Sequence, residues 1–164
     1  MNFSERKSPY KILFVCLGNI CRSPAAQGVM QHLIDEKGLS ELFYLDSAGT
    51  YGGHAGELPD HRMRVHAQRR GYNLTHRSRR VTGNDFEDFD LIVAMDGSNR
   101  RNLEDMVATV EESNKIIMMG EYIRHYEHYD HVPDPYYEGA EGFELVLNLL
   151  EDACESLLTA ILKK

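Results

Sequence analysis

Lys11-Ile12-Leu13-Phe14-Val15-Cys16 runs directly into Leu17-Gly18-Asn19-Ile20-Cys21-Arg22-Ser23-Pro24. The first six residues are short, apolar and rich in β-formers, as a strand buried on both faces should be. The residues that follow have no apolar period and carry Gly18, so they read as a loop. Ser23 then offers an N-cap and Pro24 a first helical position. The helix they open runs through Met30, Leu33 and Ile34 to a stop at Gly38. Reading residues 12–20 as the apolar core of a signal peptide fits poorly. Gly18 and Asn19 interrupt the run, and Arg22 stands where a small-residue cleavage site belongs.

The alternation continues outward from this unit. Residues 43–48 read as a second strand, 49–56 as a glycine-rich loop, and 60–70 as a helix closed by Gly71. Residues 91–95 form the third strand, 98–107 a helix and 116–118 a short fourth strand; 122–137 is a loop rich in Tyr, His, Asp and Pro. Phe143, Val146, Leu147, Leu150, Cys154, Leu157, Leu158 and Ile161 mark one face of a last helix. Strands alternating with helices predict a doubly wound, three-layer α/β fold, with a four-stranded parallel sheet and helices on both faces. Ligands of such sheets bind beyond the carboxyl ends of the strands. The loops after Cys16, Ala48, Met95 and Met118 are therefore the place to look.

A length of 164 residues predicts a single domain over 1–164. With 18 Lys and Arg against 26 Asp and Glu, the net charge of −8 argues against a nucleic-acid partner, whose phosphates call for cationic surface. No apolar run approaches the ~20 residues of a membrane span. Three cysteines make no disulfide framework and favour a reduced, cytoplasmic compartment. Seven of the 18 basic residues lie between Arg62 and Arg80 with no acidic residue among them, which reads as a solvated face or as a patch steering acidic phosphoproteins.

The loop after the first strand carries the chemistry. Its backbone N–H groups, Leu17 to Ser23, can converge on one anion, and the following helix adds the positive end of its dipole. Gly18 relieves the steric limit where the backbone turns. Arg22 offers a planar fork for two phosphate oxygens. The same surroundings draw Cys16 toward its thiolate, with the Ser23 hydroxyl as a further partner. In Pro133-Asp134-Pro135-Tyr136-Tyr137, Asp134 sits on a stiff, non-helical loop suited to presenting a proton, and the tyrosines can wall a cleft. His125, His128 and His131 are spaced by three but lack the supporting ligands of a zinc site, so no metal is expected.

Together, VCLGNICRSP and DPYY resemble the low-molecular-weight protein tyrosine phosphatases. The resemblance spans nearly the whole chain, through Asp46-Ser47-Ala48-Gly49-Thr50, Pro59-Asp60, residues 76–79, Phe89-Asp90 and Met95-Asp96-Gly97-Ser98-Asn99. It implies hydrolysis of phosphotyrosine and aryl phosphates through a phosphocysteine on Cys16. Arg22 would bind the phosphoryl group within the loop of Leu17, Gly18, Asn19, Ile20, Cys21 and Ser23, and Asp134 would act as general acid and then base. It further implies that Asn19, Ser47 and His76 hold the loop, that Cys21 protects Cys16 by a reversible disulfide, and that no cofactor takes part. The implied partner is a phosphotyrosine protein, with a cognate tyrosine kinase as a second candidate; the chain would be a monomer or weak dimer. Tyr136 and Tyr137 follow the acid as cleft residues. One departure concerns the cleft wall, where family members often carry an aromatic residue: that position falls on Gly53, with His54 next, and Tyr51 can supply the wall instead. The competing readings are an arsenate reductase of the same fold, which needs two relay cysteines outside the loop, and a phosphoprotein-binding module with a dead site.

Overall fold

β1 (Tyr10–Cys16) is the second strand of the sheet, and its position follows from its composition. Ile12, Phe14 and Cys16 face one apolar core, while Leu13 and Val15 face the other. A strand with five successive apolar residues, Ile12 to Cys16, has a place only where both faces are covered. The computed structural model describes residues 3–164. It shows β2 (Phe43–Gly49), β3 (Leu91–Ala94) and β4 (Ile116–Met118) completing one parallel sheet in the order β2-β1-β3-β4.

α1 (Arg22–Glu36), α2 (His61–Gln68) and α6 (Ala140–Leu162) cover the first face. α3 (Asp85–Asp88) and α4 (Gly97–Glu104) cover the second with Phe86 and Leu103, and α5 (Val110–Ser113) buries no residue. This is the doubly wound, three-layer α/β arrangement. α6 buries the expected stripe from Phe143 to Ile161, each large side chain contributing ~1.5–3 kcal/mol of burial. No helix among the described residues is long and apolar enough to cross a membrane.

From β1 the chain passes to β2 on one side, then crosses to β3 on the other. The register aligns Cys16 with Gly49 and Val15 with Ala94, so the loops after these strands meet at one end. A crevice at such a reversal of strand order is the usual ligand site of open α/β sheets.

Local differences from the sequence reading have physical causes. α1 starts at Arg22 with Cys21 as N-cap residue, so Ser23 is not the cap; its hydroxyl lies 3.0 Å from the Cys16 sulfur instead. α2 is capped by Asp60, whose Oδ1 accepts from the Arg62 N–H at 2.9 Å, and it ends at Gln68, before the left-handed Gly71 (φ 89°). α4 begins a residue earlier than expected, because Asp96 and Asn99 form a capping box. The four-residue α3 and α5 are too short to show a helical period in the sequence.

Candidate active site

The segment between β1 and α1 turns its carbonyls outward. The Cys16 carbonyl accepts from the Thr50 N–H (3.0 Å), Leu17 from Tyr51 N–H (2.9 Å), Gly18 from the Ser78 hydroxyl (3.0 Å) and Ile20 from Asp60 N–H (2.7 Å). Among the described residues no protein acceptor faces the N–H groups of 18–22. The loop thus presents unpaired donors at the N-terminus of a 15-residue helix, the elements of an anion cradle. Gly49 permits this geometry: a Cβ there would lie 2.6 Å from the Leu17 carbonyl oxygen.

Asn19 is the hub of the loop. It holds φ at 58°, a left-handed conformation that asparagine tolerates better than most residues. Its Oδ1 faces the Arg79 N–H and the His76 Nε2, each at 3.0 Å. Because the Arg79 N–H can only donate, Oδ1 is an acceptor and His76 carries its proton on Nε2. The Nδ2 group must then donate to Ser23 Oγ (2.8 Å) and Ser47 Oγ (3.0 Å). The Ser47 hydroxyl donates to Gln27 Oε1 (2.7 Å), and the Ser23 hydroxyl lies 3.0 Å from Cys16 Sγ and 3.4 Å from the Ala48 carbonyl, to either of which it can donate. The Ser23 N–H points at the same sulfur from 3.4 Å. Cys16 and Ser23 are both buried. Burial holds the His76 imidazole below its ordinary value; Asp46 opposes this and Arg79 adds to it.

Arg22 is only 3% exposed. Its Nη1 donates to Asp96 Oδ2 (2.6 Å) and to the Val132 carbonyl (3.1 Å), while Nη2 lies 3.8 Å from Asp134 Oδ2. Burial works against its charge, but Cys16, Asp96 and Asp134 more than offset this and the guanidinium stays cationic. Burial likewise raises the Asp96 carboxyl, and the Arg22 bond and the Asn99 N–H outweigh it, leaving Asp96 below the usual carboxylate range. A depressed carboxylate contributes stability that is present above the unfolded pKa and lost as pH falls through the folded one. Asp96→Asn should therefore be about 2 kcal/mol less stable than wild type at pH 7, since it leaves a buried cation short of a partner. The gap should narrow progressively as pH falls below ~4, from the unfolded value through the depressed one of folded Asp96. Urea melts at pH 7 and below pH ~4 check this; a constant gap would refute it.

The cleft above the loop encloses about 220 Å³ and is lined by Cys16, Arg22, Tyr51, His54, Asp134, Tyr136 and Tyr137, with backbone of the loop. Asp134 Oδ1 accepts from the Tyr136 N–H at 3.0 Å, an Asx turn that orients the carboxyl. Gly53 does not line the cleft. A Cβ built there would fall 2.2 Å from two ring carbons and the hydroxyl oxygen of Tyr51, so Tyr51 lies over Gly53 in the space a larger residue would need. His54 meets Tyr51 edge-on at 6.3 Å and holds Glu57 at 2.6 Å. Tyr137 is 93% exposed at the rim.

Other sequence features disperse. His125 pairs with Asp152 and His131 with Asp130, and no group of three His, Cys, Asp or Glu among the described residues is arranged to hold a metal. The basic run is partly consumed by structure: Arg62 pairs with Asp60, Arg70 with Glu144 and Glu151, and Arg79 with Asp46 and Asp85. Cys21 is buried at the cleft floor, where burial, then the charges of Asp60, Cys16 and Asp134, push its thiol well up. Cys154 lies in the core, its sulfur 3.9 Å from the Ala26 carbonyl. Asp96, Val132, Gln27 and Arg79 escaped the sequence reading as site residues, although the Asp96-to-Asn99 cap was visible as a helix signal.

Fold and site together define an α/β protein in which a loop of unpaired N–H groups lies beside a buried cysteine and arginine. The family model for low molecular weight phosphotyrosine protein phosphatase matches residues 11–164. A Synechocystis protein provisionally named a low molecular weight protein-tyrosine-phosphatase is 47% identical over 154 residues, 94% of this chain and 98% of its own. A protein tyrosine phosphatase from Entamoeba histolytica superposes with a TM-score of 0.91 at 44% identity, covering 94% and 97% of the two chains. A Drosophila arginine phosphatase superposes at 0.85 with 35% identity, covering 92% and 96%. The chain belongs to the low molecular weight phosphotyrosine protein phosphatase family, and it is a hydrolase, a protein-tyrosine phosphatase.

Proposed function

We propose that the chain acts as one domain over 1–164 and removes phosphate from phosphotyrosine through a phosphocysteine on Cys16. The observation that carries this is the convergence of the Ser23-held Cys16 sulfur, the Arg22 guanidinium and the Asp134 carboxyl on one cleft. The Cys16 thiolate attacks phosphorus, and the phenolic oxygen leaves with a proton from Asp134. Asp134, now a carboxylate, takes a proton from the water that cleaves the phosphocysteine, returning thiolate, inorganic phosphate and the acid. The N–H groups of residues 17–23 and the free edge of Arg22 receive the phosphoryl oxygens. The transition state spreads charge over these oxygens, so positioned donors supply most of the acceleration. Asn19, Ser47 and His76 hold the cradle in shape; no step calls on a cofactor.

Tyr51, His54, Tyr136 and Tyr137 wall the cleft, which suits an aryl group better than an alkyl one. Gly53→Ala should push the Tyr51 ring aside without unfolding the chain, because the ring is the end of a flexible side chain. KM for phosphotyrosine should rise about two- to tenfold with kcat little changed, the worth of one ~0.5–1.5 kcal/mol aromatic contact. Steady-state kinetics beside a melting curve read this out; an unmoved KM would remove Tyr51 from the wall.

The substrate is a phosphotyrosine protein, with a cognate tyrosine kinase as a second partner, and the site works in a reducing, cytoplasmic setting as a monomer or weak dimer. Cys21 lines the same cleft as Cys16 and would trap an oxidised Cys16 as a disulfide before irreversible oxidation. The arsenate reductase reading lacks a relay, since Cys154 is buried under α1. A dead binding module would not keep Cys16 and Asp134. The test is turnover of phosphotyrosine, phosphoserine and phosphoarginine peptides in EDTA and a thiol reductant. Phosphotyrosine turnover alone supports the proposal; preference for phosphoarginine, or turnover of none, overturns it.

A further inference from the structure

The loop that bears Asp134 is held at Val132 and Pro135, both buried, and is open beyond them. Val132 is buried and anchored, its N–H donating to the Met95 carbonyl at 2.9 Å, but Tyr137, Glu138 and Gly139 are exposed. Between these lies Tyr136, and its ring rests on the guanidinium of Arg62, whose Cζ is 5.4 Å from the ring centre. Arg62, its side chain 46% exposed, has two further partners. Its Cζ also lies 4.8 Å from the ring centre of Phe143, a side chain 1% exposed in α6. Its edge forms a fork on Asp60, with Nε to Oδ1 at 3.1 Å and Nη2 to Oδ2 at 3.0 Å. The Asp60 N–H in turn donates to the Ile20 carbonyl of the phosphate-binding loop at 2.7 Å.

We infer that Arg62 is a positioning residue for the general acid: a guanidinium held between Phe143 and Tyr136 ties the acid loop to the phosphate-binding loop. The inference rests on Asp134 being that acid. The coupling runs through the backbone. Tyr136 supplies the N–H that binds Asp134 Oδ1, so the placement of its ring sets where Oδ2 is presented. A planar fork meets the three demands at once, stacking on two rings while pairing edge-on with a carboxylate; an ammonium cannot.

Arg62→Leu keeps an apolar stem beside Phe143 and leaves the backbone cap of α2 intact, because that bond uses the Arg62 N–H. The experiment compares kcat/KM for phenyl phosphate, whose leaving group needs a proton, with 2,4-dinitrophenyl phosphate, whose leaving group does not. It is run on wild type, Arg62→Leu, Arg62→Lys, Asp134→Ala and the Arg62→Leu/Asp134→Ala double variant. Inhibition by inorganic phosphate reports the cradle independently. Misplacing a reacting group by ~1 Å costs up to about 10²-fold, so Arg62→Leu should lose about tenfold on phenyl phosphate and less than about twofold on the dinitro ester. Arg62→Lys should fall with Arg62→Leu, phosphate inhibition should hold, and the double variant should be no worse than Asp134→Ala alone. Equal losses on both esters, weakened phosphate inhibition, or additive losses in the double variant would overturn the inference while leaving Asp134 as acid. If Asp134→Ala itself shows no dependence on leaving group, the acid assignment fails and takes the inference with it.

Discussion

Cys16→Ser should abolish turnover, by about 10⁴–10⁶-fold, while leaving phosphotyrosine binding and the fold in place. The serine hydroxyl is a poor nucleophile at neutral pH, and the cradle that favours an anionic sulfur does not ionise an alcohol. Binding should persist because the N–H groups of the loop and Arg22 are untouched. The exchange also removes no hydrogen-bonding partner from Ser23, whose hydroxyl lies 3.0 Å from the sulfur and whose N–H points at it. Rapid-quench trapping of a phosphoprotein in wild type, its absence in Cys16→Ser, and retained binding of a phosphotyrosine peptide to the variant form one set. Residual turnover of the variant in EDTA at more than a few per cent of wild type would place the nucleophile elsewhere.

Asp134→Ala carries the second large expectation. General acid catalysis contributes ~10²–10⁴-fold, so kcat/KM for phosphotyrosine should fall within that range. The carboxyl has the freedom the role requires. Oδ1 is fixed by the Tyr136 N–H, and Oδ2 stands 3.8 Å from Arg22, on the cleft side. The side chain is 42% exposed, so the acid can exchange its proton with water between steps. Arg22 should keep its position in this variant, because Asp96 and the Val132 carbonyl hold its Nη1. Inorganic phosphate should therefore inhibit the variant about as well as wild type. A parallel loss of phosphate inhibition would mean that Asp134 shapes the anion site and does not donate the proton.

Much of this protein is legible in its sequence. The strand from Lys11 to Cys16, the Gly18 loop and the helix after it are local signals, each set by residues within a few positions of one another. The alternation of short apolar runs with amphipathic stretches implies the parallel sheet, and the order of motifs identifies the family. Cys16, Arg22 and Asp134, which line one cleft, are legible as candidates for the same reason: loop chemistry is written in adjacent residues.

The tertiary structure decided the rest. Ser23 reads as a helix cap from its neighbours, yet its hydroxyl lies beside the Cys16 sulfur and accepts from Asn19, itself oriented by the distant Arg79 N–H. Arg22 depends on Asp96, 74 residues away, and on the Val132 carbonyl, 110 away. Tyr51 replaces a missing wall residue only because its ring folds over Gly53, and Arg62 reads as one cation in a basic run until Phe143 and Tyr136 close on it. Local propensity reports a residue's own backbone and its helical or strand neighbours. Which side chains share a hydrogen bond or a ring face across such distances is set by packing, after the elements have met.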